Sequence, residues 1–279
     1  QIGTRLPKYQ ARELVLGQHE FVDDIRLKGM KHGALRFTDH PRAKVLSINL
    51  GTAEQLPGVI RVLTAADVPG QRSQGSIKRD WPIMIAPGET TRYIGDVIAG
   101  VVAETEDIAR QAATLIEIEY EILEPLSDVF QAMSEDAPAI HEGGNILSRT
   151  TTSRGEVEEA KENSQFVAQG SFQTQRIEHG YMEPEVAIAY PEGGGIALLT
   201  QSQGIYDDRN QLADLLDLSL QDVRVTLVPN GGGFGGKEDL TVQGHASLMA
   251  FLLGVPVKVR LTRDESIMMH PKRHPIWMD

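Results

Sequence analysis

Residues 229–238 read Pro-Asn-Gly-Gly-Gly-Phe-Gly-Gly-Lys-Glu, five glycines around one phenylalanine. A β-like run, Val223 to Val228, leads into this segment, and a helical pattern, Asp239 to Leu253, leads out. Every glycine adds conformational freedom that folding must remove, so a glycine run that dense needs a reason. A tight strand-to-helix turn alone needs fewer. The pattern points to a loop whose backbone N–H groups come close to an anionic or metal-oxo ligand, at the positive end of a helix.

Gly231, Gly233 and Gly236 satisfy the glycine spacing of a dinucleotide loop. The acidic residue that would hold the ribose should end the next strand, and Asp264 stands somewhat too far on. Gly231 to Lys237 also satisfies the glycines and lysine of a P-loop, but the following residue is Glu238 where a magnesium-binding hydroxyl is required. A carboxylate beside a triphosphate repels it, which rejects that reading. A nucleotide-binding βα unit stays open as an alternative.

The 279 residues suffice for two domains with separate cores. The 39 acidic against 27 basic residues give a net charge of -12, which argues against a binder of nucleic-acid backbone. The absence of cysteine excludes disulfides, thiolate metal sites and cysteine-held iron–sulfur clusters from these residues. No apolar run is long enough to span a bilayer, and no signal-peptide pattern is present. A cytoplasmic protein without membrane or nucleic-acid partners is expected. Starting at Gln1 and stopping at Asp279, the chain reads as a piece of something longer or a split subunit.

Residues 1–14 are polar and read as an extended lead-in. Strand patterns follow within 33–50 and at Leu56 to Leu63, then a short helix at Thr64 to Asp67. Val97 to Ala103 is a buried strand. Thr105 caps a helix with Ile108, Ala112 and Leu115 on one face. The period then switches to two, with Ile116, Ile118, Tyr120 and Ile122 apolar between glutamates. This strand–helix–strand unit predicts one compact α/β domain over 15–125. Prolines and glycines mark 126–150 as a linker. A second domain over 151–279 is predicted to hold a short helix at 155–161 and strands at Phe166 to Gln175, Val186 to Tyr190 and Ile196 to Thr200. A helix at Ile205 to Leu216, the glycine loop with its flanking elements and a strand from Val257 complete it. The stripe Val242, Ala246, Met249, Ala250, Leu253 is core packing. His179, His270 and His274 read as surface or structural histidines, since Pro271 breaks a helical pairing of the last two.

Taken in order, several short segments resemble the molybdenum-binding subunit of the xanthine dehydrogenase and aldehyde oxidase family. They are Gly17 to Ile25, Leu56 to Val59 with Leu63 to Asp67, and Tyr93 to Asp96 before Val101. Gln175 to Pro184, Thr200-Gln201, Gly231 to Glu238, and Arg263 to Glu265 with Arg273 to Pro275 continue the series. The resemblance runs from the lead-in to the last residue. It implies an α+β architecture, an α/β hammerhead domain followed by the first part of a molybdopterin-binding α+β domain. It also implies hydroxylation of aldehydes or N-heteroaromatic rings with water as oxygen source.

By the same resemblance, Gln201 would hydrogen-bond the apical oxo group of a molybdenum–molybdopterin cofactor, a neutral amide adding no charge there. Gly233, Phe234 and Gly235 would lie against the cofactor. Glu238 matches a position that is glutamate in purine-oxidising members and apolar in aldehyde-oxidising ones, which favours a purine-like substrate. No residue of the chain is expected to bind the metal directly. The implied partners are the rest of the molybdenum domain and iron–sulfur and FAD centres on other chains or segments, in an oligomer. The catalytic base of the family lies downstream of Asp279. A non-catalytic assembly or cofactor-delivery module of the same fold is the competing reading, and such a module has no need of Gln201 or Glu238.

Overall fold

The computed structural model describes residues 2–279. It comprises two compact units, one joining residues up to Leu123 with His179–Pro271, the other joining Glu124–Glu178 with Lys272–Asp279. The larger unit is built on a seven-stranded mixed sheet. Its strands are β1 (Lys31–Phe37), β2 (Val59–Thr64), β3 (Val97–Ala103), β4 (Val186–Glu192), β5 (Gly195–Thr200), β6 (Val223–Leu227) and β7 (Val257–Arg260). Their order across the sheet is β6-β5-β4-β7-β1-β3-β2. Strands from the first 103 residues therefore share one sheet with strands from beyond residue 185, joined where β1 pairs parallel with β7, His32 opposite Lys258.

The seven residues of β3 are all buried, as a continuous apolar run dictates for a strand covered on both faces. Thr105 then caps α1 (Glu106–Thr114), its hydroxyl accepting from the Ile108 N–H at 3.3 Å. The strand after α1, Glu117–Ile122, does not return to this sheet. It pairs with Ala43–Asn49 in a separate two-stranded ribbon, so the anticipated strand–helix–strand unit is split between two sheets. Its glutamates keep one face wet, and an antiparallel ribbon tolerates that better than a sheet covered on both sides.

Between β5 and β6 runs α2 (Ile205–Leu216), and these two strands are parallel neighbours. Helix α3 (Val242–Leu253) packs its apolar side on the sheet. Two strand glycines make room for it. A Cβ on Gly33 would lie 2.6 Å from the Met249 sulfur, and one on Gly100 2.5 Å from the Met249 methyl. Glycine inside a strand marks such a close approach. Helix α4 (Arg263–Met269) follows β7, opened by a capping box between Thr262 and Glu265.

Three local expectations change. The lead-in is not wholly extended, because Ala11–Val15 forms a helical turn from good helix formers. Helix α3 starts at Val242 rather than Asp239, so the glycine loop does not open directly onto a helix N-terminus. Of Phe166 to Gln175 only Phe172–Gln173 is strand, paired with Trp277–Met278 in the smaller unit. Strand propensity reflects packing on neighbours, and Phe166, Val167 and Phe172 are exposed here.

Candidate active site

The carboxyl ends of β5 and β6 lie side by side, Thr200 opposite Leu227 and the Val228 N–H bonded to the Thr200 carbonyl at 2.8 Å. That register delivers Gln201 and the glycine loop to the same place, the end of the sheet where open α/β folds bind ligands. Gln201 is buried, 2 % exposed. Its amide nitrogen donates to the Pro184 carbonyl at 2.6 Å, and its amide oxygen accepts from the Lys237 ammonium. Asn230 reaches the Gln201 backbone carbonyl at 3.4 Å.

Lys237 is as buried as Gln201 and is the centre of the loop's wiring. Its ammonium also donates to the Glu183 carbonyl at 2.8 Å and stands 4.5 Å from the centre of the Tyr181 ring. The Glu183 carboxylate lies 3.5 Å away and accepts the Gly231 N–H at 2.7 Å. Burial pulls the Lys237 ammonium below its ordinary range, and Glu183 and Glu185 offset this in part. Burial pushes the Glu183 carboxyl up, against the pull of the Gly231 N–H and Lys237. Sequence reasoning missed this lysine. Read as a phosphate ligand it failed, and nothing in its neighbours says that it is enclosed.

Behind it, Tyr181 donates its hydroxyl to Glu185, which also meets the His270 ring nitrogen at 3.2 Å. Burial raises the Glu185 carboxyl, but bonds from His270, Tyr181 and Ser266 more than offset it and leave it low. His179 lies 5.7 Å from His270, ring centre to ring centre, so these two histidines pack beneath the loop, whereas His274 is exposed. The loop rests closely on His179, since a Cβ on Gly236 would come within 2.8 Å of its ring.

A second clamp comes from Gln203. Its side-chain oxygen accepts from the N–H groups of Gly235 at 3.1 Å and Lys237 at 3.2 Å, and its own N–H donates to the Lys237 carbonyl at 2.8 Å. Gly233 is buried against this side chain, where a Cβ would sit 2.5 Å from the Gln203 oxygen. Phe234 is pushed outward. Its φ is +51°, a conformation disfavoured for a side-chain-bearing residue, and the ring is 73 % exposed. Gly235 and Glu238 are exposed on the same loop.

This donor set fits an oxygen-rich cofactor. The N–H groups of Gly232, Gly233 and Phe234 have no acceptor among the described residues, and one of the two Gln201 amide hydrogens is unused. Gln201 and Phe234 would hold such a group through neutral contacts. The dinucleotide alternative loses its frame, because β6 and the strand after α3, β7, are separated in the sheet by β5 and β4. A dinucleotide unit needs those strands adjacent.

Two family models match the chain. "Aldehyde oxidase and xanthine dehydrogenase, a/b hammerhead domain" covers residues 16–124, and "Molybdopterin cofactor-binding domain" covers 140–279. A probable xanthine dehydrogenase subunit from Bacillus subtilis is 39 % identical over 95 % of the chain and 35 % of that protein. The nicotinate dehydrogenase large molybdopterin subunit of Eubacterium barkeri is 33 % identical over 99 % of the chain and 65 % of its own length. The crystal structure of the aldehyde oxidoreductase of Desulfovibrio desulfuricans superposes with a TM-score of 0.90 at 27 % identity, over 99 % of this chain and 32 % of that one. The chain thus spans between about a third and two thirds of the relatives' lengths.

Proposed function

Since the chain belongs to the molybdopterin cofactor-binding family of xanthine dehydrogenases and aldehyde oxidases, we propose that it supplies one side of a molybdenum hydroxylase site acting on purine-like N-heteroaromatics. The observation that carries this reading is the convergence of Gln201 and the loop Gly231 to Glu238 at the paired ends of β5 and β6. The names of the Bacillus and Eubacterium relatives, a xanthine and a nicotinate dehydrogenase, support a heteroaromatic substrate.

When bound, the molybdenum–molybdopterin cofactor supplies two-electron oxidation with water as the oxygen source. Gln201 offers it the unused amide hydrogen. Gly233 and Gly235, without Cβ atoms, let the backbone come close. Phe234 presents an apolar ring that excludes water from the reacting face. Glu238 hydrogen-bonds a ring nitrogen or exocyclic group of the substrate and orients it. With no cysteine in the chain, iron–sulfur centres that carry electrons onward belong to other segments or chains, as does FAD. The rest of the molybdenum domain is a further partner. A cytoplasmic, oligomeric assembly is the setting proposed, and no helix among the described residues is long and apolar enough to cross a membrane. The proposed division is a hammerhead domain over 15–125, a linker over 126–150 and a second domain over 151–279. The family match over 16–124 supports the first, and the match over 140–279 takes in part of the linker as well as the second.

The test is a substrate comparison in the molybdenum-loaded parent protein. Glu238→Val is expected to lower kcat/KM for a purine by about 100-fold, a loss of roughly 2.7 kcal/mol of transition-state stabilisation, while aldehyde turnover changes little. Equal effects on both substrates would remove Glu238 from substrate choice. Unchanged turnover in Gln201→Ala would move the chain to a non-catalytic assembly or delivery module.

A further inference from the structure

We propose that Lys237 is a positioning residue that fixes which end of the Gln201 carboxamide faces the cofactor. The inference rests on the reading of Gln201 as a donor to that cofactor.

A carboxamide has two nearly isosteric ends, one a pure acceptor and the other a pure donor. Either could point into a site, and only its fixed partners decide. Here both partners choose the same orientation. The Lys237 ammonium can only donate, and it takes the amide oxygen. The Pro184 carbonyl can only accept, and it takes the amide nitrogen at 2.6 Å. Turning the amide over would set its NH2 against an ammonium and its oxygen against a carbonyl, breaking two buried bonds at once.

The lysine is itself held on several sides. The Glu183 carbonyl at 2.8 Å, the Glu183 carboxylate at 3.5 Å and the Tyr181 ring at 4.5 Å leave its ammonium little freedom. A positive charge on the amide oxygen also polarises the C–N bond and strengthens the remaining N–H as a donor. Lys237 belongs to the glycine loop, and its N–H and carbonyl are bonded by Gln203. Loop position and amide orientation are thereby set by one buried residue.

The test uses the molybdenum-loaded parent protein as wild type, Lys237→Met, Gln201→Met and the double variant. Metal content, the thermal midpoint and the electron paramagnetic resonance g-values of the one-electron-reduced metal are measured for each. Lys237→Met is expected to move the g-values about as far as Gln201→Met does, and the double variant no further than Gln201→Met alone. Lys237→Gln, which still carries an N–H donor, is expected to return them to wild type. A lowered thermal midpoint with wild-type g-values in Lys237→Met would reduce Lys237 to a brace of the loop and overturn the proposal. Wild-type g-values in Gln201→Met would overturn the reading of Gln201, and this inference with it. If Lys237→Met fails to fold or to retain metal, Lys237→Leu replaces it as the variant without a donor: g-values displaced as in Gln201→Met support the proposal, and wild-type g-values overturn it.

Discussion

Arg110 grips the Glu265 carboxylate through one guanidinium nitrogen, 3.0 and 2.9 Å from its two oxygens, and so ties α1 to α4 across 155 residues of sequence. Glu265 at the same time accepts the Thr262 N–H at 2.7 Å as the far member of the capping box. Glu265→Ala removes both and should cost about 1–3 kcal/mol, the pair being partly exposed and therefore partly screened. Glu265→Gln keeps an acceptor for the cap and should lose roughly half as much. Urea unfolding of the two variants measures the difference: equal losses would show that the cap acceptor contributes nothing, and no loss in Glu265→Gln would show the same of the ion pair.

Gly233→Ala should act through Gln203. The added methyl would stand 2.5 Å from the Gln203 side-chain oxygen, which accepts from two loop N–H groups. Displacing that oxygen uncaps both donors, so a loss of about 2–3 kcal/mol is expected. Gln203→Ala should show a similar loss. Hydrogen exchange at Gly235 and Lys237 would read the effect locally, and unchanged protection in either variant would contradict it.

Phe234 and its neighbour Gly235 should respond in opposite ways. Both have positive φ, +51° and +86°, but only the glycine adopts it without cost. Phe234→Gly relieves strain and loses little packing from an exposed ring, so the thermal midpoint should hold or rise. Gly235→Ala should destabilise by about 1 kcal/mol or more. Turnover of the molybdenum-loaded protein should fall in both. A large loss of stability in Phe234→Gly would mean that the ring is packed after all.

Asp208 gives a pH dependence with a defined sign. Both carboxylate oxygens lack a hydrogen-bond partner, and burial, with Asp207 and Asp239 nearby, pushes its pKa up to about 7. The Ser202 hydroxyl pulls the other way but does not overcome burial. The folded state binds this proton more tightly than the unfolded chain, whose value is 3.8. The contribution is full below the unfolded value and is lost as pH rises toward about 7. Asp208→Asn should therefore gain on wild type through that window, by on the order of a few kcal/mol at its upper end. Parallel denaturation at pH 5 and pH 8, at about equal salt, checks it. A difference that does not grow with pH would place the proton elsewhere.

Part of the fold, and the loop of the candidate site, were legible because their cues are local. The glycine run, the Thr105 cap and the buried run of β3 depend on residues next to each other, and the structure has each of them. Phe166 to Gln175 shows the limit. Its residues favour a strand, but only two of them find a partner edge. The ribbon strand Glu117–Ile122 shows it too, since its alternation is visible while its partner, Ala43–Asn49, is not.

The sequence by itself determined the chemistry available: a loop freed of side chains, a neutral amide, one aromatic, a carboxylate and no thiol. It also carried the order of segments that marks the family. Tertiary structure alone decided which strands share a sheet, where the ends of β5 and β6 set Gln201 beside the loop, and that Lys237 is buried facing that amide. Those outcomes depend on pairing and desolvation between residues far apart in the chain, such as Gln201 with Lys237 and His32 with Lys258. No local pattern records them, because the energy of a buried contact belongs to both partners and to the water they exclude.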